Sequence, residues 1–409
     1  MTEKDYRFIP YRKRDIIEMC LEEKQLPGQE KLFTDLYYML SSIFHFEFHK
    51  VIESLKDSYA AIDPDADTRE FKQSKLLTDL DFVELLDGLL EKANYERVTE
   101  DDLNQALNES SLFKIKLHVD FDDFSEVLLF YRGESTKQQT VKTWFGLKTK
   151  DIEFTNFERV VVYIRFKEQE QDEVSQSSPS ALKPGSTLLK LFQNVPKADL
   201  EMLFPNTKVK MRLIDKVLIG IPAIISGGIV ITTKLGASVI LIASLFGFWF
   251  GLNSQPVELN QTAIITLFAG VAALGGYFWK QFSSFKNRKL QFMQSLTQNL
   301  YFKNLDNNAG VFHRLANDAE EEECKEAILA YYFLLTSDIA LTRKALDTKI
   351  EHWFLSKWDC KIDFEIDDAL NKLIALNLIK LNGETLQAVS LEKSLQILDQ
   401  RWDDYFKPN

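Results

Sequence analysis

The sequence predicts an α+β multidomain integral membrane protein. We expect a helical N-terminal region, a small antiparallel β-meander, a membrane-embedded helical hairpin and a C-terminal helical winged-helix-like module. Three patterns indicate this class. Between Val217 and Trp279 the only charged residues are Lys234 and Glu258. Apolar residues recur at helical spacing towards both ends of the chain, and from about Phe113 they alternate with polar residues, as they do in strands.

The apolar block predicts membrane-spanning helices. It contains three runs of 17 or 18 residues, at 217–233, 235–252 and 262–278. A helix of this length is about 26 Å long, close to the ~30 Å thickness of the hydrocarbon core of a bilayer. A buried helix of a soluble protein is usually shorter and carries a polar stripe, which these runs lack.

Two or three full spans are both compatible with the block. Three runs suggest three spans, but basic residues flank both ends of the block and residues 253–261 contain none. The positive-inside rule therefore places both ends on one side of the membrane. In that case 235–252 and 262–278 form a hairpin, and 217–233 breaks at Pro222 or at the glycine pair that follows it.

Residues beside and within the block predict lipid contact and helix packing. Basic side chains at its edges are expected to contact anionic lipid headgroups: Lys208, Lys210, Arg212, Lys216, Lys280, Lys286, Arg288 and Lys289. Small residues at four-residue spacing let helices approach closely, within one chain or between two copies: Ala243, Gly247, Gly251, Ala269, Ala273 and Gly276.

The rest of the chain divides by pattern and composition. In the last region, helices followed by a hairpin with a type I′ turn at Asn382-Gly383 have the order of a winged helix. The predicted regions are a helical N-terminal region (1–110), an antiparallel β region (111–168), a flexible linker (169–186), a membrane-proximal segment (187–213), the transmembrane block (214–280), a basic amphipathic helix (281–303) and the winged-helix-like module (304–409).

Charge and motifs exclude several classes of function. The formal net charge is −12, and the predicted recognition helix of the module carries four acidic residues near Lys372. Phosphate would be repelled, so no nucleic-acid partner is predicted. No phosphate-binding loop or dinucleotide motif occurs, and no cofactor is predicted. The three cysteines are far apart, which indicates reduced thiols in a cytosol-like compartment.

Three short motifs resemble metal-binding or acidic sites. His45 and His49 lie four residues apart, so one helical face could present both to a metal, but a structural role is favoured because no third ligand is clustered nearby. Residues 63–67 begin like a calcium loop, yet the loop's required Gly and Glu are missing, which predicts a solvated turn. The four glutamates at 320–323 fan around a helix and are expected at its N-terminal end.

Three segments carry a family resemblance: residues 127–133 (VLLFYRG), 194–205 (NVPKADLEMLFP) and 320–327 (EEEECKEA). With the hydrophobic block between the last two, they resemble the membrane family called domain of unknown function 3754, which includes the animal transmembrane protein 143 group. The resemblance implies an integral membrane protein. It brings no established catalytic residue.

These patterns together predict a membrane-anchored scaffold or regulatory protein without catalytic activity, whose soluble parts face the cytosol-like side. The expected location is a bacterial cytoplasmic membrane, with the mitochondrial inner membrane as the alternative. The expected partners are anionic lipid and either an unidentified protein or a second copy. Two other functions stay open: an enzyme at the membrane surface that could use a metal at His45 and His49, and a component of a transporter or channel.

Overall fold

The computed structural model describes residues 6–66, 79–99, 103, 116–143, 148–168, 185–210, 236–251 and 260–407. The chain divides into two compact units. The first comprises Met1–Glu109, Asp120–Asn206 and Lys303–Asn409, and the second comprises Ser110–Val119 and Thr207–Phe302. Helices and an antiparallel sheet make up the first unit, which confirms the α+β part of the predicted class.

The N-terminal part of the first unit is helical, as its periodicity predicts. It contains α1 (Lys13–Glu22), α2 (Glu30–Tyr59) and α3 (Asp79–Lys92). In α2 the apolar residues at helical spacing, such as Leu36, Leu40 and Ile43, are at most 1% exposed. The helix ends shortly before Pro64, which disfavours helical geometry at the residue before it.

The sheet of this unit is antiparallel, and its neighbouring strands are, in order, β1 (Glu96–Arg97), β3 (Phe124–Thr143), β4 (Lys148–Phe166), β5 (Thr187–Pro196) and β7 (Asn304–Asn307). Residues 160–164 of its central strand are at most 1% exposed, so both faces of the sheet are covered. A 3₁₀ helix at Lys197–Leu203 packs against β4 and β5. In the second unit β2 (Lys116–His118) pairs with β6 (Lys208–Lys210).

One long helix, α6 (Ala309–Leu335), lies at the centre of the first unit. It packs against α1, α2, α3, β5 and β7, and residues 327–332 are at most 1% exposed. The helix begins eleven residues before Glu320. The expectation that the four glutamates mark the start of a helix is therefore wrong, because they lie in its interior.

We use the name C-terminal module for residues 341–404, the part of the predicted winged-helix-like module that follows α6, and its elements have the predicted order. After α6 come β8 (Leu341–Thr342), α7 (Arg343–Trp358), α8 (Ile366–Ala375), β9 (Ile379–Asn382), β10 (Thr385–Ala388) and α9 (Leu391–Asp404). The three strands form a sheet in the order β8-β10-β9. Asn382 pairs with Thr385, so the turn residues are Gly383 and Glu384. Positive φ occurs at Gly383 (+64°) and not at Glu384, which fits a type II′ turn instead of the predicted type I′.

The predicted integral membrane protein, with its membrane-embedded hairpin, is wrong. Helix α4 (Gly236–Trp249) has 14 residues and is about 21 Å long, shorter than the ~30 Å hydrocarbon core. The third apolar run is not a separate span, because it forms the first part of the 43-residue helix α5 (Gln261–Lys303), which continues through the basic residues. In the part of the chain that the structure describes, no helix is both long and apolar enough to cross a membrane.

This finding also overturns the predicted locations, a bacterial cytoplasmic membrane or the mitochondrial inner membrane, and with them the choice between two and three spans. The first apolar run, 217–233, lies outside the described residues, as do Arg212, Lys216 and positions 169–184 of the predicted linker. Of the basic residues, Lys280 and Lys286 are exposed on α5. Contact of the basic residues with lipid and packing through the small residues stay predictions.

Candidate functional site

A cleft of about 640 Å³ lies between α1, α2, α6 and α9, all in the first compact unit. It brings together the two histidines singled out from the sequence and one residue of the acidic run. The lining residues are Lys13, Ser41, Ser42, His45, Phe46, His49, Glu320 and Trp402.

Glu320 is the central polar group of the cleft. Its side chain is only 9% exposed, and its two oxygens have different partners. Lys13 Nζ donates to Oε1 at 2.8 Å, and His45 Nδ1 lies 2.8 Å from Oε2. Burial is the largest single influence on the pKa of Lys13 and lowers it, but the hydrogen bond to Glu320, the charge of Glu320 and smaller effects of Cys324 and Tyr37 together raise the pKa. Lys13 is therefore a cation that holds Glu320 in place.

The contact with Glu320 fixes which nitrogen of His45 carries a proton. A carboxylate accepts hydrogen bonds, so Nδ1 of His45 is the donor. In the neutral ring the lone pair is then on Nε2. The His45 side chain is 77% exposed, which leaves Nε2 accessible from the cleft.

The spacing of the polar residues along α2 explains why this helix supplies most of the side chains that line the cleft. Ser41, His45 and His49 follow one another at intervals of four residues and share one face of the helix. Neighbouring positions such as Phe44 and Phe48 are buried in the core. The cleft therefore lies where the polar face of α2 borders its apolar face.

Helix α9 closes one side of the cleft through aromatic and ionic contacts with α2. The ring of Phe46 lies 6.0 Å from that of Trp402 and 4.8 Å from that of Tyr405. Arg401 Nη2 is 3.0 Å from Glu47 Oε1, and the hydroxyl of Tyr405 donates to the same carboxylate. These contacts hold Trp402 at the cleft.

The neighbouring carboxylates of α6 point to other partners, as the fan around the helix predicts. Glu322 accepts hydrogen bonds from Lys325 at 2.9 Å and from the backbone N–H of Ile9 at 3.1 Å. Lys325 also donates to the carbonyl of Ile9 at 2.6 Å. This network ties the segment before α1 to the centre of the unit.

Glu323 and Glu326 connect α6 to the C-terminal module. Lys372 Nζ, on α8, lies 3.1 Å from Glu323 Oε1 and 3.6 Å from Glu326 Oε2. Asn94 Nδ2 donates to Glu326 Oε1 at 2.9 Å. Burial raises the pKa of Glu326 to about 8 and also raises the pKa of Glu323. These two carboxylates have a structural role, because they lie inside the packed unit and not in the cleft.

The other motifs are not part of the cleft. Asp63 accepts a hydrogen bond from the backbone N–H of Asp65 at 3.0 Å, and Pro64 and Asp65 are exposed, as expected for a solvated turn. The rest of the calcium-loop comparison, from Asp67 onward, lies outside the described residues. The three cysteines are buried, and none of them forms a disulfide. Among the described residues, no group of three or more His, Cys, Asp or Glu side chains is arranged to hold a metal ion.

No local pattern in the sequence indicates that Lys13 or Trp402 belongs to the cleft. Lys13 is 307 residues from Glu320, and Trp402 is far from every other lining residue. Only the packing of α1 and α9 on α2 and α6 brings them to the two histidines.

His45 does not face a nucleophilic hydroxyl among the residues that line the cleft. His45, oriented by a carboxylate, could act as a base or as a ligand. For His45 to act as a base in covalent catalysis, a nucleophilic hydroxyl would have to face it. Ser42 Oγ instead donates to the carbonyl of Tyr38 at 2.8 Å, and the hydroxyl of Ser41 forms a hydrogen bond with Cys324.

A family model described as a protein of unknown function (DUF3754) matches residues 157–310. The matched stretch includes most of β4, together with β5, α4 and α5, and ends at the start of α6. All residues that line the cleft lie outside it. The likeness to the transmembrane protein 143 group stays a prediction. No solved structure matches the chain.

Proposed function

We propose that this chain, which belongs to the DUF3754 family, is a non-catalytic regulatory protein that binds a small ligand in the cleft and a partner protein through its C-terminal module. One observation carries the proposal: Glu320 and Trp402 line the same cleft as Lys13 and His45. Helices α6 and α9, which supply Glu320 and Trp402, also pack in the C-terminal module. A ligand in the cleft therefore touches both the N-terminal helices and elements continuous with the module.

The charge of the module supports a protein partner over a nucleic acid. Asp367 and Asp368 lie in the first turn of α8, and Glu365 lies just before it. The one basic residue in its last turn, Lys372, faces the buried carboxylates of Glu323 and Glu326 and is 16% exposed. Lys372 is therefore not placed to contact phosphate, and the acidic residues would repel a phosphate group.

The pairing of the buried carboxylates supports a role without catalysis. Glu322, Glu323 and Glu326 each contact an ammonium or amide group of the protein inside the packed unit. A catalytic carboxylate has to reach a substrate. These three instead hold the N-terminal segment and the module on α6.

To test the proposal, a bulky side chain is introduced into the cleft at an exposed position outside the core. Ser42 is exposed and lines the cleft, and its hydroxyl donates to the Tyr38 carbonyl. Ser42→Trp would therefore place an indole in the space that the ligand occupies. Ser54 is a matched control, because it is exposed on the same helix and donates to the Lys50 carbonyl at 3.1 Å. The full-length chain, fused to a proximity-labelling enzyme, is compared with both variants in its native cells.

We expect Ser42→Trp to change which proteins are labelled, and Ser54→Trp to leave the set as in the wild type. If Ser42→Trp folds and its labelled set equals that of the wild type, the cleft does not control the interaction and the proposal fails. The proposal also fails if the wild type labels only what the free labelling enzyme labels.

A further inference from the structure

We propose that the ligand of the cleft is a divalent transition-metal ion held by the imidazoles of His45 and His49. The inference rests on the proposed function, since it names the ligand of the same cleft. Both histidines are exposed and line the cleft from one face of α2. Side chains four residues apart on a helix have Cβ atoms about 5–6 Å apart, a spacing at which two imidazoles can chelate one ion.

The hydrogen bond to Glu320 prepares His45 as a ligand. Nδ1 donates to Glu320 Oε2 at 2.8 Å, so the lone pair that would bind the ion is on Nε2. A carboxylate behind the ligating ring is the usual outer partner of a metal-bound histidine, because it fixes the orientation and tautomer of the ring. Glu320 is itself held by Lys13 at 2.8 Å.

The donor set indicates the kind of ion. Imidazole nitrogen suits Zn²⁺, Cu²⁺ and Ni²⁺, whereas Mg²⁺ and Ca²⁺ prefer oxygen ligands. The charge of Lys13 opposes a cation in the cleft, but the carboxylate of Glu320 balances it. With two protein ligands, water fills the remaining positions, so the ion exchanges with solution. An exchangeable ion fits a regulatory site better than a structural one, which has four protein ligands.

Titration of the full chain with Zn²⁺, followed by calorimetry at neutral pH, tests the site. We expect His45→Gln and His49→Gln each to weaken Zn²⁺ binding by at least about tenfold. Glu320→Gln should weaken it about 10- to 100-fold although both ligands remain, as loss of an outer partner does. His352→Gln is the control, since His352 is exposed on α7 and has no histidine four residues away. Mg²⁺ should not compete.

A second readout separates positioning by Glu320 from a general structural role. The absorption spectrum of bound Co²⁺ reports its ligands, so the spectrum should change in His45→Gln and His49→Gln and stay as in the wild type in His352→Gln. Glu320→Asp, which keeps the carboxylate, should recover part of the Zn²⁺ affinity. Because both histidines are exposed, their variants are expected to fold even where Glu320→Gln does not.

The two proposals can fail separately. Equal Zn²⁺ affinity in the wild type, His45→Gln and His49→Gln overturns the metal site. If that result occurs while Ser42→Trp still changes the labelled partners, the regulatory function stands with another ligand. If Zn²⁺ binds with the expected variant pattern but neither Zn²⁺ nor Ser42→Trp changes the partners, the metal site stands and the regulatory function falls.

Discussion

Lys13 Nζ lies 2.8 Å from Glu320 Oε1, although 307 residues separate the two in the sequence. The Lys13 side chain is 23% exposed and that of Glu320 is 9% exposed, so the pair is largely withdrawn from water. It fastens α1 to α6 and fixes the carboxylate that orients His45. The stability of the unit and the geometry of the cleft therefore depend on the same ion pair.

We expect Lys13→Ala to lower the free energy of unfolding by about 2 kcal/mol, because the mostly buried Glu320 carboxylate would lose one of its two partners. Urea unfolding followed by circular dichroism measures the change. Arg14→Ala is the matched control on the same helix. Arg14 pairs with Glu18 at 3.1 Å, but both side chains are mostly exposed, so this variant should unfold nearly as the wild type does. Equal losses in the two variants would contradict the role given to Lys13.

Two adjacent tyrosines of α6 give the second prediction. Both are at most 1% exposed, but their hydroxyls differ. Tyr331 donates to the carbonyl of Val389 at 2.7 Å and lies 3.0 Å from Ser394 Oγ, which joins α6 to the start of α9. Among the described residues, the hydroxyl of Tyr332 has no hydrogen-bond partner.

We expect Tyr331→Phe to destabilise the protein by about 1–2 kcal/mol, because the Val389 carbonyl loses its donor at 2.7 Å and keeps the longer, weaker one from Ser394 Oγ at 3.4 Å. Tyr332→Phe should be neutral or slightly stabilising, since it removes a buried hydroxyl that pairs with no described group. Thermal unfolding of the two variants measures the difference. A larger loss in Tyr332→Phe than in Tyr331→Phe would contradict this account.

The spacing of apolar residues predicted those helices and strands in which this spacing is regular. The spacing of Leu36, Leu40 and Ile43 predicted a helix where α2 lies, and the predicted antiparallel β region at 111–168 contains β3 and β4. The membrane prediction failed because an apolar run shows where apolar side chains lie and does not fix where a helix begins or ends. Helix α5 continues well past Lys280, and α4 stops after 14 residues.

The candidate site was predictable only in part. The four-residue spacing of His45 and His49 is visible in the sequence, and so is the fan of the glutamates around their helix. Four consecutive acids suggested the start of a helix, because carboxylates are stabilised by the positive end of the helix dipole. Three of them are buried, since Lys13, Arg132, Lys325 and Lys372 reach them, mostly from distant parts of the chain. Ion pairs between residues that are far apart in the chain cannot be predicted from local sequence patterns.

The last prediction concerns pH and the junction between α6 and the C-terminal module. Burial raises the pKa of Glu326 from 4.5 to about 8, although Lys372 and the amide of Asn94 partly oppose the shift. Glu322 and Asp368 act in the same direction as burial. Below about 8 the folded protein therefore keeps Glu326 protonated, while the unfolded chain loses this proton near the ordinary value of 4.5.

The direction in which stability changes with pH follows from the number of protons that the folded and unfolded states bind. Between the two pKa values the folded state binds one proton more than the unfolded state, so Glu326 contributes its full stability below the ordinary pKa. That contribution falls by at most about 1.4 kcal/mol per pH unit as the pH rises, and is lost as the pH passes about 8. Glu326→Gln keeps an uncharged side chain at every pH and lacks this dependence.

Urea unfolding of the wild type and Glu326→Gln from about pH 5 to about pH 9 should therefore show the wild type losing stability relative to the variant. Glu384→Gln is the control, because Glu384 is exposed in the β9–β10 turn and its variant should follow the wild type throughout. A difference between the wild type and Glu326→Gln that stays constant with pH would mean that Glu326 is ionised in the folded protein. Lys372 would then balance two buried carboxylates instead of one.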